Sequence, residues 1–166
     1  MEFVMKRFIT MIFVIIILST GLYTLLNKHA LANKFDEITL SLLPDPMALN
    51  TYTDGQCTAY AFDKVKENET MIERDWHDAK YWAKAAQKDG YLVNKTPKEG
   101  SILQSSRGSL GHVAYIEHVY KNGNFKISEM NYSEPFKITS RILTPQDVTR
   151  YNIIHPKVNP KQKEAS

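Results

Sequence analysis

Cysteine is nearly missing from this chain: Cys57 stands alone in 166 residues. A single thiol excludes any disulfide within the chain and any Cys/His cluster with zinc-ligand spacing. The seven glycines form no phosphate-cradling loop, and no internal repeat is present. Excess charge is missing too. The formal charge of +3 leans on the first 32 residues, where Lys6, Arg7 and Lys28 face only Glu2; the remainder carries 18 basic and 17 acidic residues. A nearly neutral body has no general attraction for nucleic acid, so that class of partner is excluded. What is present is ordinary for a folded domain: 43% apolar and 23% charged residues. About 130 residues remain after the leader, enough for one compact domain with its own core.

The N-terminus reads as a targeting segment. Lys6 and Arg7 precede the 19-residue stretch "FITMIFVIIILSTGLYTLL", and "NKHALA" closes with the small-x-small pattern Ala30-Leu31-Ala32. This is the layout of a secretory signal peptide cleaved after Ala32. Nineteen apolar residues are also long enough for a retained anchor, although Ser19, Thr20, Gly21 and Thr24 interrupt them. Both readings place the domain outside the cytoplasmic membrane, and membrane contact is expected only through residues 1–32.

Residues 33–53 contain Pro44 and Pro46 without a sustained period and are expected to form a loosely packed linker. A helix is predicted to follow, capped by Asp54 or Gly55, with Cys57, Ala61 and Val65 four apart on its inward stripe. A second helix is predicted over "DWHDAKYWAKAAQKDG", with Asp75 as its cap and Ala79, Trp82, Ala83 and Ala86 as its buried face. Beyond Gly90 the pattern turns to short β-branched and aromatic runs: "YLVN", "GSILQSS", "GHVAYIEHVY", "NFKISEMNY", "FKITSRIL" and "YNIIH". Helices followed by about five or six antiparallel strands make an α+β fold, with residues 54–156 as the domain and 157–166 as a frayed tail.

The lone thiol lies where chemistry is favoured. The partial positive charge of a helix N-terminus stabilises thiolate over thiol, and Cys57 sits in the first turn. In an exported chain a merely structural cysteine could be Ala or Val without risk of oxidation, so its retention points to use. A thiolate nucleophile needs a histidine to protonate the leaving group. His29 belongs to the leader, and His77, His118 and His155 read as surface or structural residues. His112 differs: it opens a strand immediately after the Ser/Gly-rich "SSRGSLG".

Geometry narrows the partners of His112. If "KNGN" closes a hairpin in which Tyr120 faces Phe125, Ala114 lies opposite Asn131 and Ile116 opposite Glu129. His112, Glu129 and Asn131 then share one face. Asn131 is the diagonal neighbour of His112, whereas Glu129 lies about 13 Å along the strands unless a bulge draws it in. A loop one residue shorter would turn both away.

Together "DGQCTAYAF", "WHDAKYWAKAAQKDGYLVNKTPKEGSI", "GHVAYIEHV" and "SEMNY" resemble the CHAP family of cysteine- and histidine-dependent amidohydrolases and peptidases, in its secreted staphylococcal antigen branch. The resemblance runs from about residue 52 to residue 155. It implies a papain-like (NlpC/P60-type) α+β fold and hydrolysis of amide bonds in peptidoglycan by a monomer without cofactor or metal. By position, Cys57 matches the nucleophile and His112 the general base that becomes general acid. Glu129 matches the acid that orients the histidine, and Asn131 the polar residue accompanying it. Gln56 precedes the nucleophile and would join the Cys57 N–H in an oxyanion hole. Two departures stand out. Residues 66–77 are more charged than is usual in this branch, and Asp45 and Asp54 are too few and too far apart for the calcium loop of some phage-lysin relatives. The expected activity is an N-acetylmuramoyl-L-alanine amidase. The alternatives are a cross-bridge or stem-peptide endopeptidase, an inactive wall-binding protein, and a wall-remodelling part of a transport machine.

Overall fold

The computed structural model of the chain describes residues 16–24, 27–28 and 45–161. Two units are distinguished, Met1–Leu43 and Pro44–Ser166. In the first, residues 16–24 are helical. Its polar residues do not break the helix, because the Ser19, Thr20 and Thr24 hydroxyls donate back to carbonyls three or four residues earlier. No helix among the described residues is long and apolar enough to cross a membrane. Most of the expected leader, including Ala30 to Ala32, lies outside the described residues.

The second unit is the α+β domain. Helix α1 spans Cys57–Glu67, and its stripe of Ala61, Phe62 and Val65 is fully buried. Lys64 and Lys66 occupy its last turn, where the helix dipole favours cations. Its cap is Gln56 in extended conformation, rather than Asp54 or Gly55. The Asp54 carboxylate instead accepts from the Gly55 N–H at 2.8 Å.

The second predicted helix is shorter than expected. Residues 75–78 are irregular, with His77 at φ +58°, followed by a 3-10 turn at Ala79–Tyr81 and α2 at Trp82–Lys88. Two tryptophans explain the delay. Trp76 and Trp82 are both buried and meet edge to face, with ring centroids 5.5 Å apart. Six residues apart on one helix they would point about 120° away from each other, so the chain stays irregular until both rings are placed.

Strands β1 (Thr70–Met71), β2 (Leu92–Asn94), β3 (Ile102–Ser105), β4 (His112–Val119), β5 (Phe125–Met130), β6 (Ile138–Leu143), β7 (Asn152–His155) and β8 (Lys157–Val158) complete the domain. Six of them form one antiparallel sheet in the order β2-β7-β3-β4-β5-β6. One face packs on the helices through Val113, Tyr115 and Ile154; the other closes over Leu103, Ala114, Ile116, Phe125 and Ile127. Burial on both faces explains why the central strands read as apolar runs with only partial alternation.

Both ends of the domain depart from expectation. Residues 45–53 are built into it and do not form a loose linker. Met47 is fully buried, and the Tyr52 ring packs 5.0 Å from Trp82 while its hydroxyl donates to the Glu73 carbonyl. The start of the expected tail is ordered as well: β8 pairs with β1, and buried Asn159 donates to Asp45 Oδ1 at 2.9 Å. Side-chain hydrogen bonds hold this segment, and they leave no hydrophobic period in the sequence. Met47→Ala should therefore lower stability by about 2–5 kcal/mol in urea unfolding. A residue in a loose linker would change it by less than about 0.5 kcal/mol.

Candidate active site

Cys57 stands half-buried in the first turn of α1, at the wall of a cleft of about 1120 Å³. Gln56, His112 and Asn131 line the same cleft. The Cys57 thiol and the His112 ring face the same cleft closely enough to shift each other's proton affinity, and the backbone N–H groups of Val113 and Thr58 also favour the thiolate. Helix and sheet thus contribute one member of the candidate pair each.

The position of His112 depends on Gly111. A Cβ on Gly111, which sits at φ +75°, would fall 2.3 Å from the Lys80 backbone nitrogen. Only glycine permits this approach of the loop to the 3-10 turn. The contact is fastened by the Lys80 N–H donating to the Leu110 carbonyl at 2.8 Å and Lys80 Nζ to the Ser109 carbonyl at 2.7 Å. The loop ahead of His112 is tethered at the point where it feeds β4.

Glu129 has no exposed surface. Its Oε2 meets His112 Nε2 at 2.9 Å, and its Oε1 receives Arg141 Nε at 2.6 Å. With Nε2 engaged, Nδ1 is the ring nitrogen left for Cys57. The acid reaches the histidine because the hairpin is not the one predicted. Tyr120 bonds to Asn124, so the loop is the three residues 121–123, with Gly123 at φ +83°. That one-residue offset alone would have turned Glu129 to the opposite face. A bulge between Ile116 and His118 adds a second offset, after which Ile116 faces Ile127 and Tyr115 faces Ser128. The two offsets restore the shared face and move Glu129 two residues nearer, into the diagonal position that the ideal hairpin assigns to Asn131.

The family model for the CHAP domain matches residues 47–131. The chain belongs to the CHAP domain family. Two Staphylococcus aureus proteins are among its relatives: "Probable autolysin SsaALP", 49% identical over 107 residues, and "Staphylococcal secretory antigen ssaA2", 48% identical over 107 residues. Each match covers 64% of this chain, which spans about two fifths of the length of either relative (40% and 39%). The crystal structure of an N-acetylmuramoyl-L-alanine amidase from the same organism is similar at TM-score 0.62 and 32% identity, covering 64% of this chain and 32% of that one. The papain-like α+β fold implied by the sequence motifs is the fold observed.

Within this CHAP domain, Asn131 does not approach the imidazole by any hydrogen bond. At φ +62° it leaves the strand and donates through Nδ2 to the Gly55 carbonyl at 2.8 Å and to Gln56 Oε1 at 3.1 Å, while its Oδ1 accepts from the Phe136 N–H. It ties the end of β5 to the loop before Cys57. His77 lines the cleft, His118 pairs with Glu99 on the surface, and His155 bonds to Ser101 and Asn94. The charged segment flagged in the sequence supplies cleft wall through Glu73, Arg74 and Asp75.

Arg141 and Tyr132 escaped the sequence reading. Tyr132 lies between the imidazole and the guanidinium, its ring 5.6 Å from the His112 ring and 4.1 Å from the Arg141 guanidinium carbon. The signal was a lone arginine at an inward position of β6, visible only once the β5–β6 register is drawn.

Proton affinities follow from these contacts. Burial pushes the Cys57 thiol up, but the hydrogen bonds from His112 and Val113 and the imidazolium charge outweigh it, so the net shift is downward. Burial pulls His112 down, yet its bonds to Cys57 and Glu129 raise it to about 9. Glu129 is raised by burial and lowered further by His112 and Arg141, and ends below the usual carboxylate range. Both shifts favour the thiolate–imidazolium form of the pair over the neutral one. Iodoacetamide should modify Cys57 rapidly at pH 6–7, well below the ordinary thiol range near 8.5. In His112→Ala, modification should wait for alkaline pH. Equal profiles for the two proteins would contradict the ion pair.

Proposed function

We propose that this CHAP domain is a cysteine-dependent peptidoglycan hydrolase acting outside the cytoplasmic membrane, and that it cleaves the amide between N-acetylmuramic acid and L-alanine. The observation that carries the reading is that Cys57 and His112 line one open cleft, with His112 Nε2 held by a buried carboxylate. Two kinds of likeness support it. The choice of bond rests on the amidase whose structure is similar, and the location on relatives named as a secretory antigen and a probable autolysin.

The geometry accommodates a two-step displacement. Cys57 Sγ attacks the amide carbonyl carbon, and the electron pair of the C=O moves to oxygen. The Cys57 N–H and the Gln56 side chain are the donors assigned to that oxyanion. Gln56 Oε1 is occupied by Asn131 Nδ2, which leaves the Nε2 donor for the cleft that Gln56 lines. As the tetrahedral species collapses, the C–N bond breaks and the His112 imidazolium gives its proton to the departing nitrogen. The thioester that remains is attacked by water, whose proton His112 takes up, and Cys57 leaves as thiolate. Glu129 holds the ring so that Nδ1 serves the sulfur. Asn131 acts one step away, by orienting Gln56.

Zymography on purified cell walls tests the reading. Cys57→Ala should lose clearing by at least about a thousandfold, as expected for removal of a nucleophile. Mass analysis of the fragments released by the unaltered protein should show stem peptides beginning with L-alanine. Clearing that survives Cys57→Ala overturns the mechanism, and fragments cut within the peptide overturn the choice of bond in favour of an endopeptidase.

A further inference from the structure

Glu129 is a carboxylate without solvent, and the groups facing it can be counted. His112 approaches from β4 and Arg141 from β6, with the Cys57 thiol of α1 beyond His112. Thr139, directly opposite on β6, has a buried hydroxyl without a hydrogen-bond partner, so among the described residues the two carboxylate oxygens answer to His112 and Arg141. Arg141 uses both arms: Nε reaches Oε1 at 2.6 Å and Nη2 reaches Oε2 at 3.4 Å. The guanidinium is itself positioned, lying over the Tyr132 ring.

We propose that Arg141 is a positioning residue of this site: stacked on Tyr132, it keeps the Glu129 carboxylate ionised and aimed at His112, and thereby keeps the imidazole protonated against the Cys57 thiolate. The physical reason lies in burial. An unpaired charge with no access to water is unfavourable, and a carboxyl group answers by taking up a proton. Were Glu129 neutral, His112 would lose the anion that favours its charged form. The thiolate would lose the cation beside it in turn. Arg141 acts on the sulfur through two intermediaries and touches no reacting atom. Lysine would supply the charge without the two-armed geometry.

This rests on the proposed roles of Cys57 and His112, but its test needs no wall substrate. The rate of Cys57 modification by iodoacetamide is measured against pH for the full chain, Arg141→Met and Arg141→Lys. In Arg141→Met the acid limb of the profile should move up by about one pH unit, so that the rate near pH 6 falls about tenfold. Arg141→Lys should recover part of the loss. A folded Arg141→Met protein, with unchanged near-ultraviolet circular dichroism and an unmoved profile, overturns the proposal. Should that variant fail to fold, Glu129→Gln and the double variant Glu129→Gln/Arg141→Met decide. A neutral amide needs no counter-ion, so the two should share one profile; a further shift in the double variant means that Arg141 does not act through Glu129. None of these outcomes depends on whether walls are cleaved, and a wall assay that fails leaves the Arg141 result standing.

Discussion

An ionised carboxylate in a dry interior survives only if its surroundings repay several kcal/mol of lost hydration. Glu129 is such a group, and two cationic side chains on neighbouring strands meet its two oxygens. The arrangement is a row in which neighbours favour opposite charges: thiol, imidazole, carboxylate, guanidinium. Each member is favoured by the next, so the state of the sulfur depends on an arginine that it never meets. Removing an end member would leave the neighbour as an uncompensated charge, and the proton distribution along the row would rearrange.

That alternation requires one register of β4 against β5. A strand slipped by one residue presents its other face, and here the three-residue loop produces such a slip. The bulge at Glu117 cancels it. Glu117 is not left idle: its Oε1 accepts from the Ser128 hydroxyl at 2.6 Å and pairs with Lys64 Nζ at 3.2 Å. Lys64 belongs to α1, the helix whose first turn carries Cys57. Burial lowers the proton affinity of Lys64, but Glu117 and Glu67 raise it on balance, so the lysine stays charged. One helix therefore does two things for the site. Its N-terminus presents the sulfur, and its C-terminal half fastens the irregularity that brings the acid to the histidine.

Much of this was legible in the residues. The position of Cys57 in the first turn and the strand-opening place of His112 follow from helical spacing and from the Ser/Gly-rich loop ahead of β4. The shared face with Glu129 was reached from a hairpin register the structure does not have, and it holds because the bulge cancels the shorter loop. The approach of Glu129 was not legible, because a bulge arises from side-chain contacts to another layer, and strand periodicity carries no record of them. Residues 45–53 and 157–159 were misjudged for a related reason. Asp45, Asn50, Tyr52 and Asn159 hold those segments through side-chain hydrogen bonds, which produce no hydrophobic repeat. The late start of α2 has a different origin: propensity favoured helix from Asp75, and the packing of Trp76 against Trp82 and Tyr91 overrode it. Asn131 was placed near His112 by an ideal hairpin; its left-handed backbone instead takes it out of the strand and toward Gly55.

A single thiol would be a hazard if it were reactive throughout the life of the chain. The structure separates the thiol from its activation. Before the sheet closes on the helix, Cys57 has the proton affinity of an ordinary thiol near 8.5 and is mostly protonated at neutral pH. The N–H groups that lower it come from Thr58, formed with the helix, and from Val113, more than fifty residues away. The imidazole also arrives with β4, and its charged form is favoured there by Glu129, which Arg141 holds from β6. The lowered proton affinity of the thiol is thus a property of the folded sheet more than of the helix alone. Reactivity appears at the step in folding where β4, β5 and β6 assemble against α1, and it is lost if that assembly opens.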